Sequence, residues 1–401
     1  MIHVFGNINS IEEIPFELVE RKGIGHPDTL CDAIAEKASL YYSRYFLEHF
    51  DRIAHHWFDK VMLIGGCSEI GFGEGELVKP YKVIFAGKAA KKYKGIDIPL
   101  DSILTQAAID VLSSSLTGFD ETKHLEIVNE VVDYHGAGRH SSRYQPQSEK
   151  ELVSLNNLDL VSNDCNLLTG YAPLSNLESL VLKTEQYING TDFKKNHSET
   201  GWDVKIIGFR ECQSYKLIIN IPFLASKVHN EQEYFSKKSE IQESIEYFIN
   251  NEFTMSVDVL INPQDKNKNF YLTALGSVAD TGDVGVVGRG NRINGLITPM
   301  RPMCIEAPAG KNPLDHTGKI YGVLANKLAL EIYNQIGSPV EVYIFVAKES
   351  TITSPDQVVV KLVDWEKNGE SKKLVYDITN AMISNINNIT IDFIKTGVTM
   401  W

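Results

Sequence analysis

A chain of 401 residues in which 43% of side chains are hydrophobic can fill the cores of two or three domains, or of one large multilobed body. Lys+Arg 39 against Asp+Glu 52 gives a formal charge of -13, which excludes a general nucleic-acid or anionic-membrane surface, because both need positive potential. The cysteines, Cys31, Cys67, Cys165, Cys212 and Cys304, are odd in number and form no CxxC pair, so neither a disulfide framework nor a zinc site is indicated and a reducing cytoplasm fits best. The opening MIHVFGNINS lacks a basic region followed by an apolar core, and no run of about 20 apolar residues occurs, so nothing points to secretion or a membrane.

In chain order, FELVERKGIGHPD begins with a short extended piece and turns through Gly23 and Gly25. A helix follows, with Leu30, Ile34, Ala38, Tyr41 and Tyr45 at helical spacing and Asp28 where a cap would sit. His26, Pro27 and Asp28 therefore occupy a glycine turn at a helix N-terminus, where free N–H groups and the dipole favour an anion. Candidate strands come next at 60 to 67, 81 to 89 and 125 to 136, with a helix near 101 to 115 and a glycine-rich turn, GFGEGE, between the first two strands. The stretch from 138 to 165 is polar and aperiodic, as expected of a long surface loop that covers a site.

A helix is expected after Pro173 with Ser175 as its cap, then a hairpin from 203 to 210 and 215 to 225, and a charged helix at 231 to 250. Phe253, Met255, Val257, Val259 and Ile261 alternate with period two, as in a half-buried strand. A further strand, FYLTALGSVA at 270 to 279, leads into a glycine-rich stretch; after it come a helix through Ile320, Leu324, Leu328 and Ile332, strands at 340 to 348 and 357 to 363, and a last helix near 374 to 395. Hairpin neighbours outnumber strand-helix-strand alternation, which predicts an α+β architecture with helices on one sheet face. Soft boundaries are expected: 1 to 137 with the GIGHPD turn, 138 to 265 with the long loop, and 266 to 401 with the glycine-rich stretch.

That stretch, Gly282 to Lys319, carries seven glycines, five Lys/Arg and three acids in an otherwise acidic chain. Gly282, Gly285, Gly288 and Gly290 let backbone approach a ligand, while Arg289, Arg292, Arg301, Lys311 and Lys319 supply positive charge. Asp283 among them suits a polyphosphate carrying a divalent metal, since the metal takes oxygen ligands and the phosphates take N–H groups and guanidinium. Neither GxxxxGK[ST] nor GxGxxG with a ribose-binding acid is present. Lys205, alone in a strand, has the plainer alternative of a solvated edge charge, and Asp28 that of a helix cap. His55 and His56 are strand neighbours that point to opposite faces, which argues against their sharing a metal.

Taken together, ELVERKGIGHPDTLCDAIAE, LTGYAPLSNLESLVLKTE, DVKIIGFR, TGDVGVVGRGNRINGLITPMRPM and AGKNPLDHTGKIYGVLANKLA resemble the archaeal-type S-adenosylmethionine synthetase family, in the same order over nearly the whole chain. The resemblance implies three related α+β lobes, a homodimer or larger assembly with active sites between subunits, and transfer of the adenosyl group of ATP to methionine, after which the released tripolyphosphate is hydrolysed. By matching position it places His26 against the leaving polyphosphate, Lys205, Arg289 and Lys311 on the phosphate chain, and Asp28 and Asp283 on Mg²⁺, with K⁺ as a further cofactor. Asp59 and Asp164 fall where substrate is expected, and Arg292 and Lys319 join them on charge and location.

The chain departs from the family pattern at Trp57, Arg139, Arg143 and Val284, and in the run after Asn163 and Asp164. Two readings follow: drift within a synthetase, or a paralogue with a different thioether or nucleotide. A nucleotide-binding regulatory subunit without catalysis is a third alternative, against which the joint presence of His26, Asp28, Lys205, Asp283, Arg289 and Lys311 speaks.

Overall fold

The computed structural model describes residues 1–6, 8–134, 143–155, 160–363 and 369–401. Three four-stranded mixed sheets, each backed by helices, organise the chain. In the first, Val284–Val286, His56–Ile64, Tyr81–Ala89 and Leu125–Val132 lie in that spatial order under the helices Pro27–Phe50 and Leu100–Ser115. The second orders Val257–Ile261, Ser214–Asn220, Lys205–Glu211 and Phe16–Lys22, with Asn176–Ile188 and Glu231–Glu252 packed on it. Ile2–Phe5, Gln357–Leu362, Val340–Val346 and Asn166–Ala172 form the third, covered by Thr317–Ile336, Gly369–Ser384 and Ile386–Lys395.

Period-two burial explains why helices sit on one face: every other residue of Tyr81–Ala89, from Tyr81 to Ala89, is buried. The opposite faces keep apolar side chains in the open, including Phe16, Leu18, Met62, Ile64, Leu167 and Phe345. Each sheet recruits a distant strand. Phe16–Lys22 pairs with Lys205–Glu211, Val284–Val286 with His56–Ile64, and Ile2–Phe5 with Gln357–Leu362.

Several expectations change. The expected strand at 270 to 279 contracts to Leu272–Thr273, followed by a 3-10 turn at Val278–Thr281 whose cap is Ser277. Gly276 has φ +100, and at Gly201 an added Cβ would lie 2.5 Å from the Gly276 Cα; this glycine-on-glycine approach halts the strand. The strand expected at 253 to 262 shortens to Val257–Ile261 because the preceding helix runs on to Glu252. The last expected helix is two, divided at Asn385, and GFGEGE is the turn of a hairpin, Cys67–Gly71 with Glu74–Lys79. Among the strands of the three large sheets, Ile2–Phe5, Asn166–Ala172 and Val284–Val286 escaped the pattern, the last lying inside the glycine-rich stretch. Among the described residues no helix is long and apolar enough to cross a membrane.

Candidate active site

The strand Phe16–Lys22 ends at Gly23, and the turn through Gly25 is pressed against the segment 202 to 204. Gly23 N–H donates to the Val204 carbonyl at 2.6 Å and Gly25 N–H to that of Trp202 at 3.1 Å. A Cβ at Gly25 would stand 2.7 Å from Asp203 N, so only glycine fits. Ser277 Oγ, donating to the Gly25 carbonyl at 2.8 Å, closes the clamp from a third segment.

The helix that follows is capped by His26 rather than Asp28: His26 Nδ1 accepts the Asp28 N–H at 3.2 Å, and Pro27 takes the first helical position. Aspartate is the commoner cap, but Asp28 is occupied elsewhere. Its Oδ1 accepts the Val286 N–H at 2.9 Å and its Oδ2 the Lys22 ammonium at 2.8 Å. One helical turn on, Asp32 Oδ1 accepts the Gly288 N–H at 2.9 Å, so two carboxylates four residues apart fasten the glycine-rich backbone to the helix start. A Cβ at Gly285 would lie 2.0 Å from the Pro27 carbonyl oxygen, which makes that glycine a condition of the contact.

Register brings Lys205 in, since it stands opposite Lys22 across the paired strands, with its ammonium 3.0 Å from Glu20 Oε1. His26 is held well below its usual value, to about 4, by burial and by Lys22 and Lys205, with Asp28 and Asp283 opposing. Its ring is therefore neutral near pH 7. Because Nδ1 accepts the backbone N–H, the proton sits on Nε2, which is left as a donor. His26, Asp28, Lys205 and Asp283 are thus one electrostatic cluster, and Arg289, exposed, has its backbone carbonyl tied to Lys22 Nζ at 2.8 Å.

Lys22 was missed by sequence reasoning, although a basic residue just before a glycine turn was a usable signal. So was Asp32, whose carboxyl burial pushes up to about 7, with the Gly288 N–H and Arg292 opposing.

A second group surrounds the start of the helix Thr317–Ile336. It lines a cavity of about 500 Å³ that includes Asp59, Asp164, Glu306, Lys311, Asp315 and His316. His316 caps this helix as His26 caps the other, accepting the Gly318 N–H, and burial together with Lys311 lowers it to about 4. Lys311 bonds Glu306 and lies 3.6 Å from Asp59 Oδ2. Burial brings its ammonium down to about 8, against the pull of Asp59. His26, Asp28, Lys205, Asp283 and Arg289 do not line this cavity, so the expected site residues of one chain fall into two places.

Two of the expected substrate contacts have partners inside the chain. Lys319 is fully buried, donating to both Glu36 carboxylate oxygens at 2.6 Å and to the Lys311 carbonyl at 2.9 Å, which occupies all three of its protons. Arg292 folds back on its own loop, donating to the carbonyls of Gly288 at 2.5 Å and Gly290 at 2.8 Å. Both hold the site's frame. His55 and His56 turn to different partners, Asp315 at 2.7 Å and Ser39 Oγ at 2.7 Å.

Of the departures, Trp57 and Arg143 come to the cavity, Val284 sits exposed beside Asp283, and Arg139 lies outside the described residues. Among the described residues no three His, Cys, Asp or Glu gather as a metal cage. Mg²⁺, however, keeps several waters and needs only one or two carboxylates alongside phosphate oxygens, a donor set that Asp28 and Asp283 fit.

Residues 4–397 match the model of the family described as S-adenosylmethionine synthetase (AdoMet synthetase). A probable S-adenosylmethionine synthase of Aquifex aeolicus is 37% identical over 357 residues, covering 86% of each chain. The S-adenosylmethionine synthase of Pyrobaculum aerophilum is 37% identical over 397 residues, 95% of this chain and 94% of its own. Among solved structures, an unusual S-adenosylmethionine synthetase from Campylobacter jejuni aligns with TM-score 0.60 over 94% of this chain and 93% of its own at 14% identity, a likeness of fold.

Proposed function

This chain belongs to the S-adenosylmethionine synthetase family, and we propose that it joins ATP and methionine with release of tripolyphosphate, which it then hydrolyses to pyrophosphate and phosphate. The observation that carries the detailed reading is the neutral His26 at a helix N-terminus, ringed by Lys22, Lys205, Asp28 and Asp283.

Attack of a thioether on C5′ needs no base, because sulfur brings a lone pair and has no proton to lose. As the S–C5′ bond forms, the C5′–O bond breaks and its electron pair leaves with the tripolyphosphate. Catalysis then consists of in-line placement and stabilisation of that departing charge. In this proposal His26 donates Nε2–H to the leaving oxygen, Lys205 and Arg289 hold the phosphate chain, and Lys22 keeps Asp28 oriented until metal and substrate arrive. Asp28 and Asp283 would hold Mg²⁺, which when bound neutralises and orients the polyphosphate. Lys311, Asp59 and Asp164 take part from the cavity side.

The separation of the two groups within one chain, and the apolar residues exposed on the outer sheet faces, support a site shared between two copies. The test is incubation with ATP, Mg²⁺ and methionine, with and without K⁺, following S-adenosylmethionine, pyrophosphate and phosphate. Formation of all three is expected. Tripolyphosphate cleavage without methionine turnover would point to another nucleophile, and silence on both to a regulatory subunit.

A further inference from the structure

The cavity beside Lys311 is lined almost wholly by charged and polar groups; Trp57 and Tyr144 contribute its large apolar surface. Trp57 is there because of a backbone irregularity. It pairs with Lys88, whereas Lys60 pairs with Ala86, so the strand His56–Ile64 bulges between Trp57 and Lys60. Such bulges re-aim side chains beside sites. The facing residue is Gly87, where a Cβ would lie 2.1 Å from the Trp57 carbonyl oxygen, so the bulge requires a glycine opposite it.

Trp57 also forms an isolated bridge with Lys311, which ties the two backbones together. Its Nε1–H donates to Tyr144 Oη at 3.0 Å, joining the strand to the segment that follows residue 142. Arg143, next in that segment, lies 3.7 Å from Asp315 across the cavity. The aromatic wall is thus fixed at both ends.

Methionine presents a zwitterionic head and an apolar S-methyl end. In a cavity of this composition the head has many charged partners, and the S-methyl end has one extended surface to rest on. We propose that Trp57, backed by Tyr144, is the specificity-determining residue for the sulfur substrate: its indole receives the S-alkyl group and limits that group's size. The inference rests on the functional reading above.

The full-length protein is assayed with ATP and Mg²⁺ against methionine, S-ethyl homocysteine and S-propyl homocysteine in direct competition. Wild type is expected to favour methionine over the S-propyl compound, and Trp57→Ala to shift that kcat/KM ratio toward the larger thioether by about tenfold or more, the scale on which a pocket discriminates one or two methylenes. Trp57→Phe should fall between, and Trp57→Leu reads the same ratio if the alanine variant does not fold. A ratio unchanged within about twofold in the foldable variants overturns the proposal. So does a rise in KM for ATP with the ratio unchanged, which would put the nucleotide against the indole. Wild type that makes no adenosylated product from any of the three fails the functional reading itself, and this inference with it.

Discussion

The two histidine-capped helix starts, at Pro27 and at Thr317, are alike in plan and opposite in construction. At Pro27 the frame is backbone pressed on backbone, through Gly25 and Gly285, with Lys22 paired to Asp28 and Lys205 to Glu20 while Asp283 and Arg289 stay exposed. At Thr317 the frame is an open cavity whose charges already answer one another, Lys311 with Glu306 and Asp59, His55 and Arg143 with Asp315. The difference separates a place preorganised for one kind of anion from a place where shape and side-chain identity decide what binds. The Glu36–Lys319 pair and the bond from Ser39 Oγ to the Lys311 carbonyl, 3.2 Å, lock the two starts together.

Cutting that lock should have the largest effect. Lys319→Ala leaves the Glu36 carboxylate buried without its partner, an expected loss of about 3–5 kcal/mol of folding stability by denaturant titration. Glu36→Leu combined with Lys319→Met should recover much of it. A single-variant loss below about 1 kcal/mol would mean that the helix starts are held independently.

Next comes His26. Removing one preorganised donor to a developing anion costs about 3 kcal/mol of barrier, so His26→Ala should lower kcat about a hundredfold, while loss of its cap costs only about 1 kcal/mol of stability. Near-normal kcat would take the Pro27 start out of the chemistry.

The pH profile distinguishes the regions without a large lesion. Lys311 carries its charge below about 8 and loses it as pH rises through that value, so kcat/KM for ATP should fall by about tenfold per unit above it. Lys311→Arg, which stays charged, should abolish the fall. His26, lowered to about 4, contributes no limb between pH 5 and 7. The smallest effect is His316→Ala, where loss of the cap should cost about 1 kcal/mol of stability.

The contrast also explains what could be anticipated. Residues that act through spacing along the chain, such as the glycine turn before His26, the Ser175 cap and the alternation in 81 to 89, were legible because period and turn chemistry are local. Asp32 and Lys22 escaped notice because each is placed partly by backbone more than 200 residues away, the Gly288 N–H for Asp32 and the Arg289 carbonyl for Lys22. The internal partners of Lys319 and Arg292 were hidden for a related reason: charge and proximity to a motif say nothing about burial, and an internal carboxylate or carbonyl can claim every proton. The strand Val284–Val286 was hidden by Gly285 and the glycines around it, which propensity reads as loop; the contact with Pro27 demands Gly285.

The distant strand in each sheet sets the order in which the molecule can be finished as the chain emerges. The sheet that begins with Phe16–Lys22 has all its strands once residue 261 is made; the one built on His56–Ile64 waits for residue 286; the one that opens with Ile2–Phe5 waits for residue 362. Until residue 286 is made, the edge of His56–Ile64 stands unpaired and Asp28 lacks the Val286 N–H. A nascent chain therefore completes one sheet before its anion site and another after it, and folding is slow and open to wrong pairing in proportion to those separations. The last strand to arrive pairs with the first one made.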